Sequence, residues 1–310
     1  MSTIENGRRD RAVSKASADR AVEAKKRPPL TFSEILGKIG WILVQVALWF
    51  FFLTVIFPML WTLLTSLKTS RELYASPWAL PAVPQWDNYV RAWQRMNVGT
   101  YIFNSVKVAG ISLFLIMMIG AMIAYALARY EFPGSKFIYF YFLSAMMIPG
   151  WLGFIPAWFL LRDLGILGTH FGLIITYTSN SLPFTVFFLY AFFKTLPREL
   201  EESAIMDGAS LYTVYFSIML PLAKSGLLTI AIFNFLGVWN EYFWALVTIS
   251  QDRLKTLPLG MANLLQIAQY ATDWGAMFAG FIIMLVPTFT VYAIFQNRLT
   301  EGITVGALKG

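Results

Sequence analysis

Six apolar runs, at about residues 41–64, 104–128, 137–161, 171–193, 226–250 and 276–297, each reach the length that crosses a bilayer. Roughly twenty helical residues span the hydrocarbon core. Backbone polar groups there must bond within their own segment, so runs of this kind fold as helices. The expectation is an all-α polytopic membrane protein with six transmembrane helices. Composition agrees, since 57% of residues are hydrophobic and only 13% charged, where a soluble domain is about half apolar and a quarter charged. The second run carries Lys107 near one end, from which an ammonium can snorkel to the headgroups.

The runs divide the chain into a basic arm (1–36), a membrane domain (37–298) and a short tail (299–310). The arm carries eight Lys and Arg and ends near Pro28-Pro29, and it reads as a disordered segment. No cleavage site of small residues follows the first apolar run, so that run is kept as a span. One set of inter-span segments (1–40, 127–137, 194–226, 298–310) holds 16 of the 24 Lys and Arg; the other (65–103, 162–170, 251–275) holds 7. The positive-inside rule then puts both termini and the 194–226 segment in the cytoplasm. The net charge of +7 does not argue for nucleic acid, because the cations are not gathered on a soluble domain. The chain has no cysteine and one histidine, which exclude disulfides and a metal site built on imidazoles.

Segment 194–226 is polar yet patterned for structure. Pro197 suits the first turn of a helix, and Glu199, Glu201 and Glu202 follow where carboxylates complement the dipole. Gly208 is placed for a left-handed cap, Ser210 can cap a second helix, and Pro221 must stop or kink it. The segment therefore predicts two short helices joined by a glycine turn. Four carboxylates, Asp207 included, oppose only Lys194, Arg198 and Lys224. A loop lying on an anionic leaflet should be basic. An acidic one suits a protein partner, although a solvated loop that happens to be helical has the same composition.

The spacing adds a resemblance. Glu202-Ser203-Ala204, three residues, Gly208, nine residues, Ile218, one residue and Leu220-Pro221 resembles the Glu-Ala-Ala loop of ABC importer permease subunits, with Ser203 where the family usually has Ala. The tail from Thr300 to Gly310 looks like the ending of carbohydrate-type permeases related to the maltose importer. The resemblance covers about residues 40–310. It implies a cytoplasmic coupling loop in which Glu202, Ser203, Ala204, Asp207 and Gly208 dock on an ATPase subunit. It also implies a second, different permease subunit, an ATPase dimer that binds the ATP and Mg, and an extracytoplasmic sugar-binding protein. The chain would itself carry no cofactor and catalyse no reaction. It would move a sugar by alternating access in the inner membrane.

Polar residues inside spans point to a pathway, because exposing them to lipid is expensive. The fourth run holds Thr176, Tyr177, Ser179, Asn180 and Ser181 ahead of Pro183; the fifth holds Asn234, Trp239, Asn240 and Glu241. Amides and aromatic rings suit sugars, so Tyr177, Asn180, Asn234 and Asn240 are the candidates for lining a pathway. Hydrogen bonding between helices explains the same residues, and the Trp-Asn-Glu triplet at 239–241 looks like a family feature independent of substrate. Glu241 is about 15 residues from Gly226, hence about 22 Å along a helix. Pro149, Gly150, Gly153 and Pro156 allow either bending or close packing in the third run.

The longest loop of the second set, 65–103, combines Pro77, Pro81 and Pro84 with Trp78, Trp86, Tyr89 and Trp93, a surface for a protein, a sugar or the lipid interface. Asn88-Tyr89 and Asn104-Ser105 look like positions typical of the carbohydrate-permease family. His170 at a span boundary reads as interfacial. The sequence contains no phosphate-binding glycine loop and no string of carboxylates through the spans, so the energy for transport has to come from a partner. A membrane enzyme, such as a transferase acting on lipid-linked sugar, should show paired carboxylates or a histidine near one interface; Asp163, Asp252 and Asp273 are scattered over outer loops without a convincing partner. An autonomous channel would leave the acidic loop without a purpose.

Overall fold

The computed structural model describes residues 32–95, 97–262, 265 and 273–307; the arm at 1–31 and the last three residues of the tail lie outside them. The described elements are helical. The first, α1 (Phe32–Ser66), contains Pro58 and divides between two compact units, Met1–Leu60 and Trp61–Gly310. The described part of the first unit, residues 32–60, is helical, and its apolar side chains from Ile39 to Phe57 are largely exposed. The second carries everything that follows.

Two short helices, α2 (Ser70–Ala75) and α3 (Asp87–Arg95), precede the long α4 (Val98–Arg129). The third apolar run is broken. Helix α5 (Ser135–Met147) stops at Ile148, because the following Pro149 disfavours helical backbone at the residue before it. A 3₁₀ turn (Gly150–Gly153) then leads into α6 (Phe154–Asp163). The fourth run is the single helix α7 (His170–Thr195), uninterrupted by Pro183. The helix-turn-helix consists of α8 (Glu199–Met206) and α9 (Leu211–Leu222). The fifth run is broken as well, into α10 (Lys224–Trp239) and α11 (Phe243–Thr248). The last helix, α12 (Trp274–Ala307), runs on through most of the expected tail.

Among the described residues, four helical stretches are long and apolar enough to cross a membrane unaided: Gly37–Ser66, Val98–Arg129, His170–Thr195 and Trp274–Ile294. The pair α9 and α10 is a further candidate, bent by 75° at its junction. Pro221 lies just before that bend, after a π-helical stretch at Val214–Met219. The third and fifth apolar runs are thus broken helices, and neither forms by itself a helix long enough to cross, so four or five candidate spans stand among the described residues where six are expected.

The core has two centres. One, around Tyr101, Ile116, Leu173, Trp239 and Ala276, lies where α4, α7, α10 and α12 approach the 65–103 segment. The other, around Tyr125, Leu189, Phe193, Val214 and Met219, lies under the helix-turn-helix. Among the described residues α4 and α7 share the most extensive helix contact, and at Gly120 an added Cβ would sit 2.6 Å from Thr185 Cγ2. Small residues of this kind let membrane helices approach without a water-driven force. Beside that contact Asn234 Nδ2 donates to Thr185 Oγ1 at 2.8 Å, so three helices share one polar pin.

Several residues singled out in the sequence hold segments together. Asn88 Nδ2 donates to the carbonyls of Ser66 (2.7 Å) and Lys68 (2.9 Å). Asn104 Nδ2 bridges the carbonyls of Arg253 and Lys255, both at 2.9 Å, and Ser105 Oγ accepts from Leu257 N. His170 Nε2 lies 2.9 Å from the Leu254 carbonyl. The scattered aspartates form separate ion pairs: Asp273 with Arg91, Asp252 with Lys255 and Asp163 with Arg162.

Candidate functional site

Two places in the second unit carry chemistry. The helix-turn-helix is built almost entirely by local rules. Helix α8 ends in a Schellman turn: Gly208 N donates to Ile205 O at 3.0 Å and Ala209 N to Ala204 O at 2.9 Å, with Gly208 at φ +85°. Only glycine adopts that backbone without strain. Ser210 Oγ accepts from Thr213 N at 3.2 Å and caps α9. Pro197 lies one residue ahead of the N-cap Arg198, not inside the first turn, so it sets the entry of the chain rather than the helix.

Glu202, Ser203, Asp207 and Gly208 are exposed, while Ala204 packs onto the core beneath. Ser203 Oγ turns back to the Leu200 carbonyl at 3.2 Å, so its hydroxyl is absorbed by its own helix. The surface is not only acidic. Met206 is 87% exposed and Tyr212 76%, with Ile205 and Leu211 beside them. This apolar face was not expected from the acidic pattern, although its residues are plain in the sequence.

The helix-turn-helix is tied to α4 by a buried charge pair. Arg129 Nε lies 3.1 Å from Glu201 Oε1, with side chains only 2% and 12% exposed. Arg129 Nη2 also donates to the Leu196 carbonyl at 2.9 Å. Burial pushes the Glu201 carboxyl above the ordinary carboxylate range, against the pull of Arg129. The two residues are 72 positions apart, beyond the reach of any local spacing in the sequence.

The second place is a cleft of about 680 Å³ between the break after α5, the polar face of α7 and the break between α10 and α11. Tyr177, Asn180 and Ser179 line it from α7, and Glu241, Phe243 and Trp244 from the other side. Glu241 is the organising residue. Its carboxylate accepts from Tyr177 OH (2.6 Å), Trp244 N (2.7 Å) and Ala245 N (3.3 Å), which caps α11 and crosses to α7. Phe154 lies against Trp244 at 4.0 Å between ring centroids and against Phe243 at 4.6 Å, forming an aromatic wall.

Of the four residues expected to line a pathway, Tyr177 and Asn180 lie on this cleft. Asn234 is buried at its pin on Thr185, away from the cleft lining. Asn240 is exposed at the end of α10 and donates to the Leu236 carbonyl at 2.8 Å. Glu241, named in the fifth run but set aside there for bonding between helices, lines the cleft, as do Phe154 and Trp244, which the sequence did not single out for it. The Trp-Asn-Glu triplet was the available signal, but it did not show that a helix break turns the carboxylate toward α7.

The model of the family described as "Binding-protein-dependent transport system inner membrane component" matches residues 116–304. The diacetylchitobiose uptake system permease protein NgcG of Streptomyces coelicolor is 43% identical over 256 residues, covering 82% of this chain and 84% of that one. The trehalose transport system permease protein SugB of Mycobacterium tuberculosis is 33% identical, covering 82% and 92%. The melibiose/raffinose/stachyose import permease protein MelC of Bacillus subtilis is 31% identical, covering 80% and 89%. Among solved structures, a chain of a bacterial ABC transporter involved in the import of the acidic polysaccharide alginate shares the fold. Its TM-score is 0.77 at 23% identity, over 87% of this chain and 99% of that one. With these matches along most of its length, the chain belongs to the family of inner-membrane components of binding-protein-dependent transport systems, the permease subunits of ABC importers.

Proposed function

We propose that this permease carries a sugar or short oligosaccharide inward by alternating access, through the cleft between Asn180 and Glu241. The observation that carries the reading is the lining of that cleft: an aromatic wall of Phe154 and Trp244 faces amide, hydroxyl and carboxylate groups. Rings cover the apolar face of a sugar and polar groups meet its hydroxyls. Relatives named for diacetylchitobiose, trehalose and melibiose/raffinose/stachyose transport support the same substrate class.

In this reading both termini and the helix-turn-helix face the cytoplasm, and the exposed surface of Glu202, Ile205, Met206 and Gly208 docks on an ATPase dimer that binds the ATP and Mg. A second permease subunit completes the pathway, and an extracytoplasmic binding protein delivers the sugar. Closure of the ATPases pushes on α8. The Arg129–Glu201 pair passes the displacement to α4, and the α4–α7 contact passes it to the cleft.

The test is uptake of labelled sugars by proteoliposomes holding this chain with its partner permease, ATPase and binding protein. ATP-dependent accumulation of a di- or oligosaccharide is expected. Accumulation of an amino acid or a metal ion, with no sugar carried, would sink the reading.

A further inference from the structure

A second cavity, of about 660 Å³, opens beside the turn between α4 and α5. Lys136, Tyr139, Tyr190, Lys194 and Arg198 line it. The two tyrosine rings pack 4.1 Å apart between centroids, and the Lys194 ammonium sits 5.4 Å from the Tyr190 ring. Arg129 also contributes to the wall, but its charge is met by Glu201. That leaves three cations against the single carboxylate of Glu131. Lys136 and Lys194 stand in no ion pair among the described residues. Gly134 and Ser135 line the cavity too, and no side chain caps the start of α5, so the positive end of that helix adds to the field.

The position of the cations narrows the ligand. Lys136 lies in the first turn of α5 and Lys194 in the last turn of α7, at the ends of apolar helices where headgroups sit. From the cavity rim α5 presents Phe137, Phe140 and Tyr141, which are 76%, 64% and 64% exposed, and Phe140 lines the cavity itself. A ligand matching both parts is anionic at one end and apolar at the other. Basic pockets between membrane helices on the cytoplasmic side hold phospholipid headgroups.

We propose that this cavity binds the phosphate headgroup of an anionic phospholipid, with its acyl chains along Phe137 and Phe140. The site is separate from the sugar cleft and from the docking surface. Only its assignment to the cytoplasmic leaflet rests on the proposed orientation. A lipid held there bridges the α4–α5 turn to the end of α7, next to the entry of the helix-turn-helix. That makes it a brace for the coupling loop whose occupancy follows membrane composition.

The test uses the assembled transporter in nanodiscs of phosphatidylcholine with increasing phosphatidylglycerol, with bound lipid counted by native mass spectrometry. Wild type is expected to retain phosphatidylglycerol. The Lys136→Gln/Lys194→Gln variant is expected to bind it on the order of 30-fold more weakly, from about 1 kcal/mol per cation. The Lys136→Arg/Lys194→Arg variant keeps the charges and should retain the lipid, which separates lost binding from lost folding. Equal retention by the Gln variant overturns the proposal. Displacement of the lipid by millimolar inorganic phosphate would assign the cavity to a soluble anion and overturn the lipid source. Loss of the ATPase from the Gln variant with lipid retention unchanged would make the patch a protein contact and overturn it as well.

Discussion

The helix-turn-helix and the cleft both interrupt helices, and they do so by opposite means. At the first, each break is made by a residue acting on its own neighbourhood: Gly208 turns the chain and Ser210 caps the next helix. At the second, the break between α10 and α11 is held by Glu241, whose carboxylate reaches forward to Trp244 N and across to Tyr177. The glycine turn is shaped by its own neighbours and presents a surface, while Ala204 and Glu201 seat the helix before it on the core and on α4. The carboxylate ties two helices, so any change in the cleft is felt at both. The helix-turn-helix is a handle, and the cleft is a site that responds.

Breaking the handle should have the largest effect. Gly208→Asp places a side chain at φ +85°, where no neighbour lies within 4 Å but the backbone itself is strained by about 1–2 kcal/mol. Sugar uptake should fall to background while the variant still inserts and folds, read by proteoliposome uptake beside circular dichroism. Normal uptake by folded Gly208→Asp would remove the handle from the account.

Cutting the handle from α4 comes next. Arg129→Met leaves the Glu201 carboxylate buried without its partner, a loss expected to cost about 3–5 kcal/mol. The Arg129→Met/Glu201→Met double variant removes both charges and should recover most of the thermal stability. Uptake should stay impaired if the pair transmits motion, and a double variant with full uptake would reduce the pair to packing.

The responsive site is sharpened by Tyr177→Phe. Losing one charge-assisted hydrogen bond to Glu241 should cost about 1.5–3 kcal/mol, and because Tyr177 lines the cleft it should also raise the KM for sugar. Asn234→Leu serves as its counterpart at the smallest scale. It breaks the pin on Thr185, for which about 0.6 kcal/mol is expected in a membrane bundle, and should leave KM unchanged. A KM shift for Asn234→Leu without one for Tyr177→Phe would reverse the assignment of the two residues.

The same contrast explains what could be read from the sequence. Gly208, Ser210 and the early glutamates act on residues three or four positions away, so spacing alone revealed two helices and a turn. The long apolar runs of α4, α7 and α12 were legible because the bilayer fixes their length. At Ile148 the sequence signalled a bend through Pro149 and Gly150 but left close packing equally open, and the break at Asn240 gave no signal, since hydropathy averages over a capping carboxylate inside an apolar run. Arg129 with Glu201, and Tyr177 with Glu241, are 72 and 64 positions apart, and only packing brings them together. Asn234 was ambiguous for a related reason: an amide inside a span has the same sequence whether it meets a substrate or a threonine.

Whether the helix-turn-helix is the contact with the ATPase is decided at Met206. The chain contains no cysteine, so Met206→Cys introduces one thiol, at a residue 87% exposed on α8. In inside-out vesicles carrying the assembled transporter, a short thiol crosslinker should join this position to the ATPase subunit, and the Gly208→Asp background should abolish the product. A thiol labelled by an impermeant maleimide from the extracytoplasmic side, with no crosslink to the ATPase, would contradict that contact.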